Sequence, residues 1–269
     1  MDISFENLSF SVRLKRMLHV DFRRMFTMPL IYIMIGISFV IPILILIMTS
    51  MMPSTTIDPV TGIEKSVETF TNTWQIIGSM SSNNSQESAM SMSLVSMCNI
   101  NMMYFAVVVL VAIFVCSDFR SGYNKCLFTV RAKKTDYVIS KTVVCFIAGA
   151  FMLIAFIIGS MIGGAIAGLP FDLDGFSGTN IIMCLLSKIL LVMVFVPIFL
   201  VMSIAGKQRL WLSLIGGFGV GMLLFTMVPM ITPLDSTIMN VILCLAGGVI
   251  FSIGIGAISN VVLKKTNLV

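Results

Sequence analysis

Residues 142–171 read TVVCFIAGAFMLIAFIIGSMIGGAIAGLPF, without one charged side chain. A helix needs roughly 20 apolar residues to cross about 30 Å of hydrocarbon at about 1.5 Å per residue, so this stretch alone is long enough to span a bilayer. Working outward, five further runs have the same character: Met25 to Ile57, Ser88 to Ser117, Gly175 to Gly206 broken only by Lys188, Leu210 to Leu234, and Ser236 to Leu263. Together they predict spans near 30–49, 96–117, 142–166, 181–205, 210–231 and 237–263. The composition agrees, because the chain is 58% hydrophobic and 11% charged, whereas soluble domains carry roughly 25% charge. Only helices and closed barrels satisfy every backbone polar group in lipid, and the short apolar/polar alternation of barrel strands is absent. The reading is an all-α polytopic membrane protein of six transmembrane helices, one domain over residues 1–269. The first run begins after a long polar and basic leader and is followed by other spans, so no cleaved secretory signal is expected.

Charge placement sets an orientation. Arg13, Lys15, Arg16, Arg23 and Arg24 precede the first span, and Arg120, Lys125, Arg131, Lys133, Lys134 and Lys141 separate the second from the third. Lys207 and Arg209 lie between the fourth and fifth, and Lys264 and Lys265 follow the sixth. The opposite side carries Lys65 with Asp58, Glu64, Glu68, Glu87, Asp172, Asp174 and Asp235. Short basic loops stay in the cytoplasm, which places both termini there. The pI near 9.0 then reflects membrane topology and contact with anionic lipid, and no nucleic-acid partner is implied.

Catalytic and metal chemistry find little support. His19 is the chain's one histidine and lies in the leader, so neither a Ser-His-Asp nor a Cys-His site is available within the spans, and no span holds a carboxylate pair. The cysteines at 98, 116, 126, 145, 184 and 244 have no metal or redox spacing and read as small hydrophobes. No P-loop is present, so the chain is not expected to be an enzyme or to hold a cofactor. Met80, Met90, Met92 and Met97 suggest a soft-metal site, but among 23 methionines ordinary packing is the stronger reading.

Residues 1–28 form a leader in which Leu14, Met17, Leu18, Phe22, Met25 and Phe26 recur at helical spacing with basic residues opposite, predicting an interfacial helix that Pro29 bends into the first span. An outer segment, 50–95, includes Phe70, Trp74, Ile77 and Met80 on one helical face and predicts a short interfacial helix. Glycines crowd the later spans at 159, 163, 164 and 168, at 216, 217, 219 and 221, and at 247, 248, 254 and 256, which predicts close helix packing. Pro42, Pro197, Pro229 and Pro233 predict kinks and a partly re-entrant outer end of the fifth span.

The loop 118–141 carries the most specific pattern: Asp118, then Gly122 and Tyr123, the apolar pair Leu127 and Phe128, then Arg131, Lys133, Lys134 and finally Lys141. It resembles the corresponding loop in the permease subunit of type 2 ABC exporters, where Glu-x-x-x-Gly-Thr is followed by a Leu pair, Pro-x-Ser-Arg and a Lys opening the next helix. Asp118 takes the Glu position, Gly122 the Gly, Leu127 and Phe128 the Leu pair, Lys134 the basic position and Lys141 the last Lys. Tyr123, Arg131 and Lys133 depart from the pattern. The resemblance implies that Asp118, Gly122, Tyr123, Leu127, Phe128 and Lys134 couple this chain to a separate ATP-binding cassette subunit, which supplies ATP and magnesium. It further implies a second permease copy, identical or paralogous, in a 2:2 complex within the lipid of a cell membrane, by resemblance the bacterial plasma membrane. A solvated basic loop that merely sets topology accounts for the Lys and Arg, but not for the Asp, Gly and apolar pair.

Lys188, the one charge inside a span, reads either as a snorkelling residue reaching outer headgroups, Asp172 or Asp174, or as a contact for an anionic group in a substrate path. Compact permeases of this kind resemble exporters of peptide toxins such as phenol-soluble modulins, and lantibiotic-immunity permeases. An amphiphilic peptide is therefore the expected cargo, with a small hydrophobic drug or ion as the alternative. An ion-gradient-driven transporter or channel is the reading from another class, disfavoured by the lack of carboxylates in the spans.

Overall fold

The computed structural model describes residues 10–51, 55–57, 64–66, 70–78, 98–129, 133–173, 177–207, 209–225 and 228–265. Met80, Met90, Met92, Met97, Arg131 and Asp174, singled out above, lie outside these residues. The architecture is helical: α1 (Phe10–Thr27), α2 (Pro29–Ser50), α3 (Met103–Arg120), α4 (Tyr123–Thr129), α5 (Lys134–Ala167), α6 (Gly178–Gly206), α7 (Leu210–Phe225), α8 (Val228–Ile231) and α9 (Ile238–Lys265). A small antiparallel ribbon, Thr55–Ile57 against Glu64–Ser66, interrupts the helical pattern in the outer segment.

Among the described residues, five stretches are long and apolar enough to cross a membrane: Pro29–Ser50, Ile100–Arg120, Lys134–Ala167, Gly178–Gly206 and Ile238–Leu263. They are compatible with a multi-pass membrane protein. The run read as a fifth span differs, because α7 has 16 residues and reaches only about 24 Å at 1.5 Å per residue. Beyond it α8 is a single turn containing Pro229, and Pro233 follows it; proline supplies no backbone N–H and disfavours a regular helix through its position.

The bundle is built around α3, α5 and α6. The apolar window ending α3 is 67% buried, whereas that of α9 is 11% buried and that of α2 28%. Thus α2 and α9 are the outer staves, packed mainly on α5 and α6 respectively, while α7 leans on α6 and α3. Close approach of α2 to α5 depends on missing side chains. A Cβ at Gly159 would strike the Phe39 carbonyl oxygen and lie 2.9 Å from Pro42, and one at Gly163 would lie 2.8 Å from the Ile43 Cα. Gly247, Gly254 and Gly256 of α9, by contrast, have open space at that position. The expectation of small-residue packing therefore holds within the chain for α5, but not for those three.

At 34 residues, α5 extends about 50 Å, well beyond a hydrocarbon core. It begins at Lys134 and so takes up the end of the stretch read as a loop. Asp136 in its first turn complements the helix dipole. At the other end Gly168 adopts φ +69°, and the Leu169 N–H donates to the Gly164 carbonyl at 3.0 Å, closing the helix.

The outer segment folds onto this acidic end of the bundle. A 3-10 turn over Thr73–Ile76, rather than the expected interfacial helix, buries Phe70, Ile76 and Ile77. Trp74 Nε1 donates to the Phe171 carbonyl at 3.2 Å, and Asn72 Nδ2 to that of Asp172 at 2.6 Å. Thr73 packs where Gly164 lacks a side chain, so the turn is shaped by tertiary contact more than by helical periodicity.

Replacing Gly159 with Val should cost about 1–3 kcal/mol through overpacking, whereas Gly254→Ala should change stability by less than about 1 kcal/mol. Thermal unfolding in detergent checks both; equal losses would contradict the packing described.

Candidate functional site

At the basic end of the bundle, α1, α3, α4 and α5 converge on a buried ionic cluster. Gly122 makes it possible: it holds φ +72°, a conformation that costs glycine little, and reverses the chain between α3 and α4. This turn leaves Asp118 in the last turn of α3, facing the first turns of α5 that project beyond the apolar span. Tyr137, Ser140 and Lys141 lie there on one helical face.

The Lys141 ammonium sits between two carboxylates, 2.6 Å from Asp118 Oδ2 and 2.9 Å from Asp21 Oδ1, with all three side chains fully buried. Arg24 Nη2 approaches Asp118 Oδ1 at 2.7 Å. The Tyr137 hydroxyl donates to Asp118 Oδ2 at 3.1 Å, and the Ser140 hydroxyl donates to Asp21 Oδ2 at 2.6 Å. Aromatic faces complete the enclosure: the Lys141 Nζ stands 3.8 Å from the Phe114 ring centre, and the Arg24 guanidinium carbon 3.9 Å from that of Tyr123. Two carboxylates and two cations balance, so the cluster can be withdrawn from water without a net charge.

Electrostatics at the rim follow this geometry. Burial works against the charge of Arg24, but the Asp118 carboxylate outweighs it and holds the guanidinium above its ordinary pKa. Burial, aided by the carboxylates of Asp21 and Asp118, pushes the Tyr123 phenol up against the opposing pull of Arg24. Both shifts favour the charge state that Arg24 and Tyr123 already hold at neutral pH. Among the described residues no group of three or more His, Cys, Asp or Glu is placed to hold a metal.

The six residues assigned to coupling by resemblance divide by position. Asp118 is fully buried inside the chain and anchors the loop from within. Tyr123 is half-buried beneath Arg24. Lys134 Nζ donates to the Leu263 carbonyl at 3.0 Å, tying the start of α5 to the end of α9. Leu127 and Phe128 are half-buried against the bundle, with Phe128 edge-on to Tyr137 at 5.8 Å. Lys125, Cys126 and Thr129 give α4 its exposed face.

Sequence reasoning missed Asp21, Arg24 and Tyr137. A signal for Asp21 was present: it stands four residues after Met17 and four before Met25, on the apolar stripe of the leader, and all three are buried. A carboxylate on that stripe requires a cation from elsewhere, because an isolated buried charge is costly. The partner, Lys141, is 120 positions away in sequence.

Lys188 is held by polar partners within the chain. It is 1% exposed, and its Nζ donates to Asn101 Oδ1 at 3.1 Å and to Thr232 Oγ1 at 3.0 Å. The Tyr104 hydroxyl donates to the Lys188 carbonyl at 2.9 Å. One amine therefore joins the start of the α3 segment, α6 and the turn before α9 near the acidic end of the bundle.

No family model, curated protein or solved structure matches the chain.

Replacing Lys141 with Met strands Asp21 and Asp118 with a single cation and should cost about 3–5 kcal/mol. Adding Asp21→Asn to that variant restores charge balance and should recover part of the loss. Melting in detergent measures both, and a double variant less stable than Lys141→Met would contradict the pairing.

Proposed function

We propose that the chain is the membrane-spanning subunit of an ATP-driven exporter of the type 2 ABC class, with its basic end and both termini in the cytoplasm and α7 serving as a sixth, short span. The observation that carries this reading is the fixing of α4 at the basic end. The helix bears the Leu127 and Phe128 pair, and its turn is held to α1 and α5 through Asp118, Arg24 and Lys141. A surface helix that only sets topology needs no buried ionic anchor. One that receives a push from a partner does, because force reaches the spans only if the helix and the spans move together.

In this assembly a separate ATP-binding subunit grips α4 by its exposed Lys125, Cys126 and Thr129 and by the accessible edges of Leu127 and Phe128. Nucleotide-driven closure of two such subunits shifts two copies of this chain between arrangements. The resemblance in residues 118–141 supports the class of exporter, and the charge asymmetry supports the orientation. The cargo that suits the apolar helices is an amphiphilic peptide. Lys188, closed off by Asn101 and Thr232 in the present arrangement, meets an anionic group of the cargo only if those contacts part during transport.

Cys126 is a native probe of this reading, since it is exposed on α4 while Cys116, Cys145, Cys184 and Cys244 are buried. In a Cys98→Ser background, an impermeant maleimide should label Cys126 in inverted vesicles but not in right-side-out ones. Co-expression with a P-loop ATPase, where one is encoded beside the gene, should protect it, and Lys125→Glu, at an exposed position of α4, should weaken both protection and co-purification while leaving the melting temperature of the chain alone nearly unchanged. Labelling in right-side-out vesicles would overturn the orientation. Unprotected Cys126 in a complex that still co-purifies would overturn the docking.

A further inference from the structure

A cleft of about 540 Å³ opens where α3 ends and α7 begins, lined by Arg120, Arg209, Leu210, Trp211, Leu212 and Ile215. Its two halves differ in chemistry. Arg120 closes α3 and Arg209 precedes α7, so two arginines line this cleft at the basic end. The remaining lining is apolar and exposed: Trp211 is 78% exposed and Ile215 68%.

Four other basic side chains at this end are engaged by the protein. Arg13 meets Asp136, Arg24 meets Asp118, Lys141 meets both Asp21 and Asp118, and Lys134 meets the Leu263 carbonyl. Among the described residues no carboxylate pairs with Arg120 or Arg209. A guanidinium presents a planar fork that fits phosphate oxygens, and a tryptophan at the headgroup level combines an apolar ring with a polar N–H.

We propose that this cleft is a binding site for an anionic phospholipid of the inner leaflet, whose phosphate lies between Arg120 and Arg209 while its acyl chains run along Trp211, Leu212 and Ile215. The apolar wall selects a lipid over a soluble phosphate, because a free anion gains nothing from it. Two arginines lining one cleft favour an anionic headgroup over a zwitterionic one. The site rests on the membrane reading and the orientation given above, but not on the identity of the transport motor.

Trp211 reports its own neighbours, as the chain contains only one other tryptophan, Trp74. The Trp74→Phe variant, reconstituted in vesicles, is compared in brominated phosphatidylglycerol and brominated phosphatidylcholine at equal mole fraction. The expected result is that brominated phosphatidylglycerol quenches Trp211 with an apparent affinity at least about threefold higher, and that Arg120→Gln with Arg209→Gln removes the preference without lowering the melting temperature. Equal quenching by both lipids overturns the site while leaving the membrane reading standing. No quenching by either overturns both. Equal quenching together with loss of ATPase co-purification in the arginine variant assigns the cleft to the protein partner instead and equally overturns the proposal.

Discussion

The Lys141 ammonium, held between Asp21 and Asp118 and capped by the face of Phe114, is the interaction on which the basic end of this molecule depends. A buried ion pair is weak support for stability as such, since well-packed apolar groups can replace one at little cost. Its value here is positional. Three charged residues from α1, α3 and α5 meet only when those helices are in register, and Arg24 and Tyr123 then stack in the space that remains. Charge balance penalises any arrangement in which one helix slips and strands its partner.

The consequences run outward along the elements. Because Asp118 is pinned, the Gly122 turn and α4 leave α3 in a fixed direction. Because Lys141 belongs to a helix that continues to Ala167, the cluster is joined through α5 to the close contacts that α5 makes with α2 at Gly159 and Gly163. Near the opposite end Lys188 plays a looser part, with two neutral partners and no carboxylate among the described residues. The molecule thus has a tight ionic joint at one end and a weaker polar joint at the other, the distribution that the proposed transport cycle requires.

Much of this was legible from residues alone, for identifiable reasons. Uninterrupted apolar runs such as 142–171 announce helices in lipid because no other backbone arrangement satisfies their polar groups there. The positions at 118, 122 and 141 stood out by spacing, and the structure gives those three a shared purpose: anchor, turn and counter-charge. Asp21 was hidden because its partner is distant in sequence, and pairing across two elements leaves no local pattern. The 3-10 turn at Thr73–Ile76 was hidden for a related reason, as it follows the space left by Gly164 and not the periodicity of its own side chains. Likewise the count of apolar residues over 210–234 did not show that α7 has 16 described residues, Leu210–Phe225.

The central claim is that α1 and α4 form one rigid body with the start of α5. Spin labels at Val20 and Cys126, both exposed, report it directly through their pulsed dipolar distance distribution in reconstituted membranes. The account predicts one narrow distribution in the otherwise native chain and a broad one in the Lys141→Met variant that remains folded. A broad distribution in the native chain, or one that Lys141→Met leaves narrow, would contradict it.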